Sequence, residues 1–263
     1  MFTPLKNSIR TADEFSSKLP VTELYGAPRR GADSNLHWYK EDNGFHHITI
    51  ATKPHQIVEL MKTRINLQGE KIAVLAEKED RYIGWQANAN FGLKLKEVYY
   101  YIWNSAVIFN DIVLFTDAYD VIYCGNHEEI IKRFKEFNKP IVFGAEKICS
   151  PDPERASEYC YKNMEFPYLN SGLYIGYVWA LQECMVGYNY NDVDDDQRFW
   201  TNVFFKRQDL MTLDYYNSIF LNTAGVNVKE IEWDGRNATY NKRSPMFVHV
   251  NGPDKTELNY FLS

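Results

Sequence analysis

The chain has 263 residues, with 29 basic and 35 acidic side chains and a formal net charge of -6. This balance argues against a non-specific nucleic-acid-binding protein, which needs clustered basic residues. Apolar residues make up 45% and charged residues 24% of the chain, which excludes intrinsic disorder and a collagen-like composition and is typical of a globular protein.

The sequence shows no targeting segment. Its N-terminus, MFTPLKNSIR, lacks the apolar core of a signal peptide, and no stretch approaches the roughly 20 apolar residues of a membrane span. We therefore expect a soluble protein, cytoplasmic as the sequence stands. The four cysteines form no CxxC pair and are expected to be mostly buried thiols.

Apolar runs typical of strands alternate with helical periodicity along most of the chain. The predicted elements are, in chain order, a strand at 46–52, a helix at 55–65, a strand at 71–76, a helix at 93–109, a strand at 112–116, a helix at 128–137, strands at 140–146 and 171–178, helices at 179–187 and 195–206, and strands at 226–233 and 246–250. This alternation indicates an α/β layer with a mostly parallel sheet. We expect one domain over 46–263, preceded by a surface-hugging N-terminal extension over 1–45.

The segment IVLFTDAYDVI, at 112–122, places Asp117 directly after a buried strand and Asp120 three residues later. Ligands of open α/β sheets bind at the carboxyl ends of strands. Two carboxylates this close repel each other unless a cation separates them, and oxygen ligands suit a divalent ion. On these residues alone, a metal site and a turn that uses Asp side chains as acceptors are equally good explanations.

Two further segments carry candidate chemistry. In DVDDD, at 192–196, the carboxylates are either helix N-caps or, at Asp195 and Asp196, groups that point into the cleft as acid, base or sugar ligand. In MFVHVNGPDK, at 246–255, His249 lies on a predicted strand, and the turn after this strand leads to Lys255. Imidazole binds manganese and a flexible ammonium binds phosphate, although a lone strand histidine is more often a core residue.

Together these features fit a sugar nucleotide whose departing diphosphate is neutralised by a metal, with Tyr119 or Trp85 against its base or sugar ring. Six blocks follow one another in a fixed order: ITIAT (48–52), LFTDAYDVI (114–122), FGAEKICSP (143–151), YLNSGLYIGY (168–177), DDDQRFWT (194–201) and HVNGPDK (249–255). They resemble the glycosyltransferase domain of procollagen lysyl hydroxylases and, more distantly, the collagen galactosyltransferases. The resemblance implies a GT-A fold, in which a Rossmann-like mixed sheet flanked by helices binds a UDP-sugar with Mn²⁺.

The resemblance also implies roles for individual residues. The Mn²⁺ ligands would be Asp117, Asp120 and His249. Asp195 and Asp196 match the acidic run implicated in catalysis. The residues implied at the nucleotide sugar are Thr52, Trp85, Lys94, Tyr119, Asn170, Asn251, Gly252 and Lys255.

This sequence departs from the family pattern at two positions. Ser150 stands where the family has Trp after a Cys, and Leu173 stands where it has a second Gly. Both departures bear more on the acceptor than on the donor.

We therefore expect transfer of glucose or galactose from a UDP-sugar to a hydroxyl acceptor, by resemblance hydroxylysine or galactosyl-hydroxylysine in a collagen-like protein. A retaining transfer needs no separate base, whereas an inverting one would use Asp195 or Asp196 to deprotonate the acceptor. A nucleotide-sugar hydrolase and a UDP-sugar- or glycan-binding module without turnover remain alternatives. Since the chain ends at Ser263 and contains no HxD iron motif, we expect a stand-alone enzyme without hydroxylase activity, of viral or unusual cellular origin.

Overall fold

A computed structural model describes residues 44–84, 89–161, 163–252 and 254–262. Its helices and strands are, in chain order, β1 (Phe45–Ile50), α1 (Gln56–Asn66), β2 (Ala73–Leu75), α2 (Gly92–Ile102), β3 (Ile112–Thr116), β4 (Val121–Tyr123), α3 (His127–Glu136), β5 (Ile141–Glu146), β6 (Tyr168–Tyr177), α4 (Val178–Met185), α5 (Asp196–Lys206), β7 (Met211–Asp214), β8 (Phe220–Asn222), β9 (Glu232–Trp233), β10 (Ala238–Thr239), β11 (Phe247–His249) and α6 (Leu258–Leu262). No helix within these ranges is long and apolar enough to cross a bilayer.

The central sheet has six strands in the order β2–β1–β3–β6–β5–β7. Strand β6 runs antiparallel to both of its neighbours, β3 and β5, while the other three pairings are parallel. The predicted mixed, Rossmann-like α/β sheet is therefore confirmed. Strand β3 is buried at all five positions, which explains why its sequence, IVLFT, is a continuous apolar run rather than an alternating one.

A second, three-stranded sheet in the order β4–β11–β8 determines where the cleft lies. The chain leaves β3 after Thr116 and enters β4 at Val121, so the turn between them joins the two sheets. Strand β11 pairs antiparallel with β4, and His249 is in register with Val121. The N–H of Val250 donates to the carbonyl of Asp120 at 2.9 Å, which holds the end of β11 against this turn.

Most predicted elements are present within a few residues of their expected ends, and two predictions need correction. The strand predicted at 226–233 is wrong over most of its length, because Val228–Glu230 forms a 3₁₀ turn whose first N–H groups are capped by Asn227. Within this segment, only Glu232 and Trp233 form a strand. The helix predicted at 93–109 ends at Ile102, since a turn follows in which the Asn104 side chain accepts from the N–H of Ala106 at 2.9 Å.

Asp214, fully buried at the end of β7, offers a test of this packing. Its carboxylate accepts N–H bonds from Ser218, Ile219 and Phe220 at 2.8, 2.6 and 2.9 Å. We expect Asp214→Ala to lower the free energy of unfolding by about 2–4 kcal/mol, because buried N–H donors lose their acceptor. Asp214→Asn keeps one acceptor oxygen and should cost less; equal losses for the two variants in urea unfolding would contradict this explanation.

Candidate functional site

Two carboxylates and one imidazole meet at the carboxyl end of β3. One atom each from Asp117, Asp120 and His249 lies within 4.8 Å of the other two. Nε2 of His249 is 3.3 Å from Oδ2 of Asp120 and 3.7 Å from Oδ2 of Asp117. Asp120 and His249 are buried, so these groups face one another rather than bulk water.

Two lysines partly neutralise this cluster. Lys94 Nζ lies 2.7 Å from Asp117 Oδ1 and 3.6 Å from Asp196 Oδ2, and Lys255 Nζ lies 2.6 Å from Asp120 Oδ2. Burial alone would raise the pKa of Asp120, but the neighbouring His249 and Lys255 outweigh it and hold that pKa below its usual value. Burial likewise opposes the charge on Lys94, yet its carboxylate neighbours hold its pKa above the ordinary value. The buried Asp120 carboxylate is therefore stable as an anion because basic groups lie beside it.

The donor set fits a divalent cation. Carboxylate oxygens with one imidazole suit Mn²⁺ and similar ions. Space for such an ion depends on Gly172, because a Cβ there would overlap the His249 ring and lie 2.7 Å from Asp117 Oδ2. Asp117, Asp120 and His249 could thus hold a metal, as predicted from the sequence.

The last two carboxylates of the acidic run at 192–196 make different contacts. Asp195 is the N-cap of α5, where its Oδ1 accepts the N–H of Arg198 at 2.9 Å. Asp196 is buried, and its Oδ2 accepts the hydroxyl of Ser171 at 2.9 Å. Burial raises the pKa of Asp196 to about 6, with Lys94 opposing this shift. Of the two roles predicted for this acidic run, the side chain of Asp195 is the helix N-cap, and that of Asp196 is the carboxylate in the cleft.

A cleft of about 590 Å³ surrounds the cluster. Eleven of the residues predicted at the site line it: Lys94, Asp117, Tyr119, Asp120, Asn170, Asp195, Asp196, His249, Asn251, Gly252 and Lys255. Trp85, the alternative ring for the nucleotide, lies outside the described residues. Thr52 is buried, and its hydroxyl donates to the Arg81 carbonyl at 2.5 Å. Thr52 therefore stabilises the structure next to the cleft and is not part of its lining.

Tyr119 is fixed at one side of this cleft by backbone groups. Its hydroxyl accepts the N–H of Thr52 at 2.8 Å and that of Lys53 at 3.1 Å. The ring of His55 meets the Tyr119 ring edge-on, with centroids 5.1 Å apart. The Tyr119 ring is thus held at the end of β1 on the wall of the cleft.

A buried acid and two amides also line the cleft. Glu146 is 2% exposed, and burial raises its pKa to about 8. Asn251 Nδ2 donates to Glu146 Oε2 at 2.7 Å, while its Oδ1 accepts the N–H of Ala224 at 2.8 Å. Asn170 Oδ1 accepts the N–H of Gly172 at 3.0 Å. Glu146 is mostly a neutral acid at pH 7 and can therefore donate a hydrogen bond to a ligand.

The two departures from the family pattern lie in different surroundings. Ser150 lines the cleft, so the missing aromatic ring changes its wall. Leu173 is fully buried and pairs with Thr116 of β3, so its side chain belongs to the core. Of the two, only Ser150 bears on what the cleft accepts.

Several supporting residues were not predicted from the sequence. Gln197 accepts the N–H of Ser171 at 2.7 Å and donates to the Leu169 carbonyl, which ties α5 to β6 beneath Asp196. Asn222 contacts His249 from behind. Gln197 and Ser171 lie inside two of the quoted blocks and could have been noticed there, whereas Asn222 ends a three-residue strand that carried no signal.

Gly172 gives a direct test of the metal site. We expect Gly172→Ala to weaken Mn²⁺ binding by about 10-fold or more, the loss typical when the surroundings of a ligand are disturbed. The measurement is electron paramagnetic resonance of free Mn²⁺. The matched control is Gly176→Ala in the same strand, whose Cβ would meet the Ile141 side chain at 3.0 Å and should reduce stability without changing Mn²⁺ affinity. Unchanged Mn²⁺ affinity in Gly172→Ala would contradict this assignment.

The buried acid predicts a pH dependence of stability. The pKa of Glu146 is about 8 in the native protein, whereas the ordinary pKa of a glutamate side chain is 4.5. Between these two pH values the native state therefore binds more protons than the unfolded state. Its contribution to the free energy of unfolding therefore falls as the pH rises through this window. We expect Glu146→Gln to gain stability relative to wild type with rising pH, in urea unfolding of metal-free protein. Parallel pH profiles would show that Glu146 is not buried as an acid.

The chain matches the family model described as "PLOD GT domain" over residues 41–263. Procollagen-lysine,2-oxoglutarate 5-dioxygenase 1 of Bos taurus is 31% identical over 223 residues, which cover 81% of this chain and 30% of that protein. The Caenorhabditis elegans protein named "Multifunctional procollagen lysine hydroxylase and glycosyltransferase" is 37% identical over 163 residues, 57% of this chain and 22% of that protein. The chain thus spans less than a third of the length of these relatives.

Among solved structures, a glycosyltransferase involved in the glycosylation of the major capsid of PBCV-1 aligns with a TM-score of 0.46 and 12% identity. The alignment covers 82% of this chain and 98% of that structure. The family match, which extends over most of the sequence, carries the conclusion: the chain belongs to the glycosyltransferase-domain family of the procollagen lysyl hydroxylases and is a glycosyltransferase with a GT-A-type fold.

Proposed function

We propose that the chain transfers a hexose, glucose or galactose, from a UDP-sugar to a hydroxyl acceptor and depends on Mn²⁺ for this reaction. The observation that carries the proposal is the cluster of Asp117, Asp120 and His249 inside a cleft that also contains Lys94 and Lys255. Metal ligands and ammonium groups in one cleft are the groups that a diphosphate requires.

Each wall of the cleft suits one part of such a donor. The Tyr119 ring offers a stacking face to the uracil. Lys255 follows the Asn251–Gly252 turn and can exchange its contact with Asp120 for a phosphate oxygen. Gly252 has a φ of +97°, a conformation that favours glycine, and nothing among the described residues lies within 4 Å of where its Cβ would be. Backbone at this turn can therefore approach the diphosphate closely.

The sugar would lie between the cluster and the wall formed by Glu146, Asn170 and Asp196. A bound Mn²⁺ would stabilise negative charge on the departing diphosphate. The chain's own contribution is orientation, because a protonated Glu146 donates to a sugar hydroxyl while the Asn170 amide and the Asp196 carboxylate hold others. Asp196 is also the buried carboxylate available to accept a proton from the acceptor if the transfer is inverting.

The relatives support a proposal for the class of acceptor. Their names describe procollagen lysine hydroxylases, one of them also a glycosyltransferase. We infer that hydroxylysine or galactosyl-hydroxylysine in a collagen-like protein is the acceptor of this chain, and that it enters past Ser150.

The donor and the metal are tested by calorimetric titration of UDP into metal-free protein, with and without Mn²⁺. We expect binding that requires Mn²⁺ and that Asp120→Asn weakens by at least about 10-fold, since one metal ligand loses its charge. UDP-glucose and UDP-galactose are then compared for UDP release with and without a galactosyl-hydroxylysine or hydroxylysine peptide. Release that the peptides do not accelerate indicates a hydrolase, and binding without release indicates a module without turnover; either result contradicts the proposed transfer.

The two adjacent acids give a matched pair of variants. If the transfer is inverting, we expect Asp196→Asn to lower kcat about 100-fold or more, the usual contribution of a positioned acid–base group, with little change in UDP affinity. Asp195→Asn keeps the helix cap, because Asn is as good an N-cap as Asp, and should retain most of the activity. Equal losses in the two variants, measured as UDP release at saturating donor, would contradict the assignment of Asp196.

A further inference from the structure

Asn222 occupies a fully buried position behind the metal-ligand cluster. It is the last residue of β8, and its side chain lies between the Ala145 carbonyl of β5 and the imidazole of His249 in β11. It therefore connects three strands at the point where the cleft begins.

The hydrogen bonds of Asn222 determine which imidazole nitrogen carries the proton. Its Nδ2 lies 2.9 Å from the Ala145 carbonyl oxygen, and a carbonyl can only accept, so the amide NH₂ must face Ala145. The amide oxygen Oδ1 then faces Nδ1 of His249 at 2.8 Å. An amide oxygen also only accepts, so Nδ1 must donate. The opposite amide orientation would place two oxygens against each other at Ala145.

When His249 is neutral, its other imidazole nitrogen consequently faces the carboxylates without a proton. In neutral His249 with a protonated Nδ1, the lone pair of Nε2 is directed toward Oδ2 of Asp117 and Oδ2 of Asp120. Three electron-rich atoms then converge on one point, an arrangement that a cation stabilises.

We propose that Asn222 is a positioning residue that fixes the tautomer of His249 and thereby raises the affinity of the cluster for a divalent cation. The inference rests on the proposed function in that this cation is the one used for transfer. Gly144 leaves room for the Asn222 side chain, because a Cβ at position 144 would lie 2.8 Å from Asn222 Nδ2.

The test compares Asn222→Leu with Asn222→Asp. Both variants keep the branched shape and the number of side-chain heavy atoms of asparagine and both lose the donor to Ala145, but only aspartate keeps an acceptor for the Nδ1 proton. We expect Asn222→Leu to bind Mn²⁺ about 10–100-fold more weakly, as is typical when the partner of a ligating histidine is lost, and Asn222→Asp to bind as well as wild type or better. Paramagnetic resonance of free Mn²⁺ gives the affinities, and circular dichroism verifies folding.

Two results would overturn the proposal: wild-type affinity in Asn222→Leu, or an equal loss in both variants, which would indicate a purely structural role. Wild-type protein without Mn²⁺ affinity would instead contradict the proposed function, so the two failures are distinguishable.

A second measurement needs no Asn222 variant and no metal. Nitrogen-15 NMR of the imidazole rings in metal-free wild-type protein, at alkaline pH, reports which ring nitrogen is protonated. A His249→Gln variant identifies the resonances by their absence. We expect Nδ1 of His249 to be protonated and Nε2 unprotonated, and the reverse tautomer would overturn the proposal.

Discussion

Compensation of negative charge at the end of β3 is the constraint on which the cleft depends. Asp117, Asp120 and Asp196 are brought close together with little contact to water, where like charges interact strongly. Lys94 and Lys255 supply two positive charges against these three carboxylates. One negative charge remains in excess beside His249, so a divalent cation at that point would give the cluster a net positive charge, which favours the binding of a diphosphate.

The topology explains why these groups meet. The turn between β3 and β4 joins the two sheets. His249 lies beside this turn because β11 pairs with β4 in a register that places His249 opposite Val121. Strand β6 runs past the same point, where the N–H of Asp117 donates to the Gly172 carbonyl at 2.7 Å. A side chain at position 172 would enter the site, so the sheets can approach this closely only at a glycine.

The sequence predicted the parts of the site that lie in long apolar runs or in recognisable blocks. Strand β3 was expected where it is found because its continuous apolar run is a strong local signal, whereas Asp117, Asp120 and His249 were grouped as metal ligands by the family resemblance. The different orientations of Asp195 and Asp196 could not be predicted, since they depend on the single residue at which α5 begins. Asn222 could not be predicted either, because its role comes from contacts with two distant strands.

A crystal grown with Mn²⁺ and UDP, measured at the manganese absorption edge, tests the metal-assisted transfer most directly. We predict an anomalous peak at ligand distance from Asp117, Asp120 and His249, with the diphosphate between that peak and Lys255. UDP bound in the cleft without a peak at this cluster, or a peak at a different set of residues, would contradict the proposed reaction.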